Sequence, residues 1–121
     1  MKRVLAAGAA WMLAFGPAAA EPVTVREVLE ARMSAASGAF GARAEWGALV
    51  FYLQGVIEGV AAAQLQAKDI EAEPIFCPPP GKGYSIEEAV ALLEAAAEDN
   101  DNQPAAAALL KGYAKALPCK A

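Results

Sequence analysis

The chain has 121 residues, 57% of them hydrophobic and 20% charged, with a formal net charge of −4, two cysteines and no histidine. That length builds one compact domain and no more. The acidic balance argues against nucleic acid and anionic lipid as partners, whose phosphates would be repelled, and the lack of histidine removes the commonest general base, the Ser-His and Cys-His nucleophile pairs, and ordinary zinc sites.

The first 20 residues read as a secretory signal. Lys2 and Arg3 form a positive start, Val4 to Phe15 is uncharged and apolar, and Gly16-Pro17 breaks the segment. Ala18-Ala19-Ala20 then supplies the small residues a signal peptidase needs, which places cleavage after Ala20. An apolar run of about a dozen residues is too short to span a bilayer comfortably. The expected location is therefore the periplasm. The remaining chain keeps all 14 acidic residues and 8 of the 10 basic ones, a net charge of −6.

Both cysteines lie in the exported part, where an even count reads as a disulfide and two allow one pairing, Cys77 with Cys119. Closing a loop of about 43 residues contributes on the order of 4 kcal/mol in the chain-entropy account.

Four helices are predicted, giving an all-α domain over residues 21–121. Thr24-Val25-Arg26-Glu27 has capping-box spacing and opens the first helix, in which Val25, Val28, Leu29 and Met33 form an apolar stripe. The stretch Ser34 to Gly41 ends it. The second and longest helix runs from Arg43 to about Ala67, with Trp46, Leu49, Val50, Leu53, Val56, Ile57, Val60 and Leu65 on a wide apolar face. Gly47, Gly55 and Gly59 each cost about 1 kcal/mol of helix propensity relative to alanine, so close-packed neighbours are expected at Gly55 and Gly59. The same Gly55-x-x-x-Gly59 pattern occurs in paired membrane helices, but a mid-span Glu58 opposes insertion. A buried central helix is the expectation, with Gly55 and Gly59 also offering a seam for a homodimer.

Lys68 to Glu73 is a charged exit that Pro74 terminates. Pro78-Pro79-Pro80-Gly81-Lys82-Gly83 then reads as a stiff extended path followed by a turn. Ser85-Ile86-Glu87-Glu88 repeats the capping-box spacing and opens the third helix, to about Glu98, with Ile86, Val90 and Leu93 on its apolar face. Asp99 to Gln103 is a polar turn, and Pro104 suits the first position of a fourth helix. Leu109, Leu110, Tyr113 and Leu117 line that helix, which ends before Pro118 and Cys119.

Little in the chain carries catalytic chemistry, and no catalytic set, cofactor site or metal site is expected. Asp99, Asp101 and Gln103 alternate like the start of a calcium loop, but Pro104 stands where glycine is needed and Leu110 where a bidentate glutamate is needed. Glu58, on the apolar helix, is either a buried tuned acid or a carboxylate at the edge of the polar face. A protein-binding module is the better reading than an enzyme. The loops Pro78–Tyr84 and Asp99–Gln103 are the exposed candidates for a partner surface, through Pro79, Lys82, Tyr84, Asp99 and Asp101.

Tyr52-Leu53-Gln54-Gly55-Val56-Ile57-Glu58-Gly59, then Phe76-Cys77-x-Pro79, an amphipathic helix, Pro104-Ala105-Ala106 and a terminal Leu117-Pro118-Cys119 together resemble the Rap/Tai immunity-protein family. The resemblance covers Leu49 to Cys119. It implies a small HdeA-like helical fold and a periplasmic protein that neutralises cell-wall-degrading effectors, notably peptidoglycan amidases delivered by type VI secretion. By the same resemblance Cys77 and Cys119 match the bridge-forming cysteines, and Gly55 and Gly59 match central-helix positions. Family members often carry a further cysteine where this chain has Leu49, so a second bridge is missing here. The alternatives are an acid-stress chaperone like HdeA, also helical, exported and built around one disulfide, and an envelope binding or structural protein with another partner.

Overall fold

The computed structural model describes residues 21–120; the expected signal segment 1–20 and its cleavage after Ala20 lie outside the described residues. Four helices follow in the anticipated order: α1 (Val25–Ala36), α2 (Ala42–Asp69), α3 (Ile86–Asn100) and α4 (Ala105–Ala116). Among the described residues there is no strand, only an isolated antiparallel bridge between Thr24 and Pro104. The protein is all-α.

The helix ends show how local sequence and tertiary contact divide the work. Thr24 Oγ1 accepts the Glu27 N–H at 3.2 Å, and Ser85 Oγ accepts the Glu88 N–H at 3.1 Å. Neither glutamate returns the bond, so each capping box is half made. The Glu88 carboxylate instead takes the Lys82 ammonium at 2.7 Å, a charge-assisted bond. The free N–H groups at the start of α1 are satisfied across the fold: Val25 donates to the Gln103 carbonyl at 3.0 Å and Arg26 to that of Asp101 at 2.8 Å. In return Ala105 donates to the Val23 carbonyl at 2.8 Å. That exchange keeps Pro104 extended, at ψ 132°, so it precedes α4 as its N-cap rather than occupying the first helical position.

At the other end of α2 the chain closes with Glu71 at φ 56°, the left-handed region where glycine is usual. The Ala72 N–H reaches back to the Ala67 carbonyl at 2.8 Å and the Glu71 N–H to that of Lys68 at 3.3 Å, the paired bonds of a Schellman closure.

The core joins all four helices. Val25 and Val28 of α1, Leu53 and Ile57 of α2, Ala89 and Leu93 of α3, and Leu109 and Tyr113 of α4 form one buried cluster. Phe76, from the loop between α2 and α3, is also fully buried and stacks on Tyr113 with ring centroids 5.5 Å apart. The disulfide joins Cys77 to Cys119, whose Cα atoms are 4.8 Å apart. It ties the loop ahead of α3 to the segment after α4, as the pairing of the two cysteines requires.

Two expectations for α2 are corrected. The helix is not buried all round: only Ala42, Leu53 and Ile57 are buried, because α1, α3 and α4 contribute on one side alone. Gly55 and Gly59 are exposed, and a Cβ built at either meets nothing within 4 Å. They are not packing sites within the chain. The close approach lies instead at Gly112 of α4, where a Cβ would come within 3.2 Å of the Leu92 side chain. By length and composition α2 is apolar enough to cross a membrane; in this fold Leu53 and Ile57 seat it against the other helices.

Candidate partner-binding groove

One side chain organises the loop that follows α2. Gln64 Nε2 donates to the Phe76 carbonyl, and Gln64 Oε1 accepts the Ile75 N–H at 3.3 Å. With its backbone fixed there, Phe76 drops into the core and Cys77 donates its N–H to the Leu117 carbonyl at 2.8 Å. The path then turns at Gly81, whose φ of 77° is readily available to glycine, while the Lys82 N–H closes onto the Pro79 carbonyl at 3.2 Å.

Between this clipped loop and the C-terminal half of α2 lies an open groove of about 650 Å³. Leu65, Pro74, Pro78 and Tyr84 make its lining mainly apolar, with the buried Phe76 beneath, and Lys68 and Glu71 are its charged members. Leu65 is 68% exposed, and Ile70 and Ile75 in the adjoining segment are exposed as well. Such a surface suits an apolar protrusion from another molecule, held on a frame that helix, disulfide and the Gln64 bonds make rigid.

The residues anticipated as partner-binding fall into two groups. Pro79 and Asp99 are exposed, Pro79 on the loop and Asp99 on a second groove between α3 and α4 that Lys111 and Lys115 also line. Lys82, Tyr84 and Asp101 are half-buried and make contacts within the chain, Tyr84 while also lining the groove. The Lys82 ammonium bonds Glu88 and sits 5.5 Å from the Tyr84 ring centroid. Tyr84 meets Tyr113 edge-on at 5.5 Å. The Asp101 carboxylate receives a two-pronged contact from Arg26, at 2.7 and 3.0 Å. That guanidinium holds the Asp101 carboxyl below its ordinary range, and the carboxylate raises Arg26 in turn. Lys82 and Tyr84 therefore shape the loop, and Asp101 fastens the turn onto α1.

Burial pushes the Tyr113 hydroxyl up to about 12, with the Glu88 charge and Tyr84 adding to it; it has no hydrogen-bond partner among the described residues. Glu58 is exposed on the outer side of α2, which removes the buried-acid alternative. No group of three or more His, Cys, Asp or Glu among the described residues is placed to hold a metal ion.

Sequence reasoning missed the structural roles of Gln64, Phe76 and Gly112. Only Phe76 carried a signal, as a large aromatic directly before a bridged cysteine; an amide that bonds a loop eleven residues away has none. No family model, curated protein or solved structure matches the chain.

Proposed function

We propose that this protein is an exported, periplasmic immunity-type inhibitor that binds and neutralises a cell-wall-degrading effector of the peptidoglycan amidase type. The observation that carries the reading is the open apolar groove beside the disulfide-clipped loop, lined by Leu65, Pro74, Pro78 and Tyr84 over the buried Phe76. The ordered string of Gly55-Val56, Phe76-Cys77-x-Pro79 and Pro118-Cys119, resembling the Rap/Tai immunity proteins, gives the partner class. An inhibitor of this kind needs shape and apolar surface rather than reactive groups, since occlusion of a catalytic cleft makes and breaks no bond.

Affinity capture tests it. The oxidised protein is immobilised at neutral pH and exposed to envelope and secreted proteins of the source organism. A cell-wall hydrolase retained in stoichiometric amount, displaced by free protein and lost with Leu65→Glu, is the expected result. Retention of a non-hydrolytic envelope protein, or an empty column, overturns the inhibitor reading.

A second reading, an acid-stress chaperone of the HdeA type, draws on the Arg26–Asp101 clasp. It fastens α1 to the α3–α4 turn and depends on a carboxylate that acid discharges. That reading expects client aggregation to be suppressed at pH 2–3 and little effect at neutral pH.

A further inference from the structure

The groove beside the loop has one lining residue with reactive chemistry, Cys77. Cys77 and Cys119 form the disulfide, and both are exposed. An exposed bridge is the kind that thiols exchange with, whereas one shielded from solvent is out of a thiolate's reach. Lys68 and Glu71, the two charges of the lining, offset one another, so apolar contact and sulfur chemistry are what the groove offers an occupant.

We propose that the groove seats a protein segment in which a cysteine stands beside an apolar side chain, and that this cysteine exchanges with the bridge at Cys77. The partner's thiol gives its proton to solvent, and the thiolate attacks Cys77 Sγ. A new sulfur–sulfur bond forms there while the bond to Cys119 Sγ breaks, and its electron pair leaves with Cys119 as a thiolate. The partner's sulfur is oxidised as that of Cys119 is reduced, so no other oxidant or reductant enters. The chain has no third cysteine to divert the exchange.

The two ends of the bridge are held unequally. Cys77 donates its N–H to the Leu117 carbonyl and follows the buried Phe76, whose backbone Gln64 holds. It therefore keeps its place in the groove wall when the bridge opens. Pro118, Cys119 and Lys120 are all exposed, and their backbone makes no hydrogen bond among the described residues. An open bridge thus leaves the Cys119 thiolate on a loose end. Re-closure stays favoured, because the cross-link stabilises the folded chain and the two Cα atoms lie only 4.8 Å apart. The mixed disulfide persists only while the groove holds the partner's apolar side chain, which makes the bridge a latch that resets when the partner leaves.

Exchange rests on the groove of the inhibitor reading as a docking site but not on a hydrolase as its occupant, and its test contains no hydrolase. Oxidised protein is incubated without oxygen with a peptide carrying leucine on each side of its cysteine, or with a control carrying serine there. After an acid quench, digestion and mass spectrometry locate and quantify the mixed disulfide. The expected result is a product on Cys77 at roughly 10-fold or more the control's level, the effect of burying one leucine-sized side chain. Leu65→Glu should bring the leucine peptide down to the control's level. Helical circular dichroism should stay unchanged, because Leu65 is 68% exposed. Equal products from the two peptides would show a bridge open to any small thiol and overturn the proposal. So would a product on Cys119, indifference to Leu65→Glu, or no product at all. Any of these leaves hydrolase capture on the column standing, and an empty column leaves the peptide result standing.

Discussion

Replacing both Cys77 and Cys119 by serine opens a loop of about 43 residues, which in the chain-entropy account lowers stability by about 4 kcal/mol. The folded state should lose little beyond the bond itself. The Cys77 N–H still donates to the Leu117 carbonyl at 2.8 Å, Phe76 remains locked in the core, and Gln64 still holds the backbone on both sides of it. The loss therefore falls on the unfolded chain, which gains freedom. A domain of this size unfolds with an entropy of about 0.2 kcal/mol per kelvin near its midpoint, so the thermal midpoint should drop by roughly 20 °C. Circular dichroism melts of the oxidised protein and the double variant measure this directly. Urea titration adds a second readout: the variant should show a steeper dependence on denaturant, since an unclipped chain exposes more surface. A midpoint drop below about 5 °C with unchanged urea slope would refute the reasoning, because the loop would then be closed without the bond even in the unfolded ensemble.

Phe76→Ala removes a fully buried ring stacked on Tyr113 and is expected to cost about 3–5 kcal/mol in chemical denaturation. Tyr113→Phe deletes a buried hydroxyl without a partner, so stability should hold or rise, by about 1 kcal/mol; a loss of that size would show that the hydroxyl is bonded. Because the folded Tyr113 value is raised from 10 to about 12, its contribution is complete below pH 10 and is lost as pH climbs through that interval. Tyr113→Phe should accordingly flatten the alkaline limb of a pH–stability curve. Asp101 runs the other way: its value lies below the ordinary 3.8, so the Arg26 clasp stabilises at neutral pH and fades as acid discharges the carboxylate. Asp101→Asn should be less stable than the parent at pH 7, with the difference closing as pH falls well below 4. Glu71→Gly relieves a left-handed residue at φ 56° and should raise the thermal midpoint, by about 1 kcal/mol of stability.

The helices were legible because their signals are local. Thr24 and Ser85 announce two starts through a single side-chain bond each, and the 3–4 spacing of Leu53, Ile57, Leu93, Leu109 and Tyr113 names residues that are buried. The candidate site was legible only in part. Pro78 and Tyr84 do line the groove, but Lys82, Tyr84 and Asp101 are drawn into contacts with Glu88, Tyr113 and Arg26. Polarity alone does not separate a solvated charge from one bonded to a residue far along the chain, as Asp101 is to Arg26.

The four helices, their approximate ends and the pairing of Cys77 with Cys119 follow from the order of residues alone, since two cysteines admit one bridge and periodicity is a property of neighbours in the chain. Which faces meet depends on packing between helices distant in the chain. That packing left Gly55 and Gly59 in the open and put the tight approach at Gly112 against Leu92. It also sent Phe76 into the core, and made the Asp99–Gln103 turn the cap of α1. The reason is that a 28-residue α2 presents apolar residues all round. Only the packing of α1, α3 and α4 against one side fixes which of those residues are buried and which stay exposed.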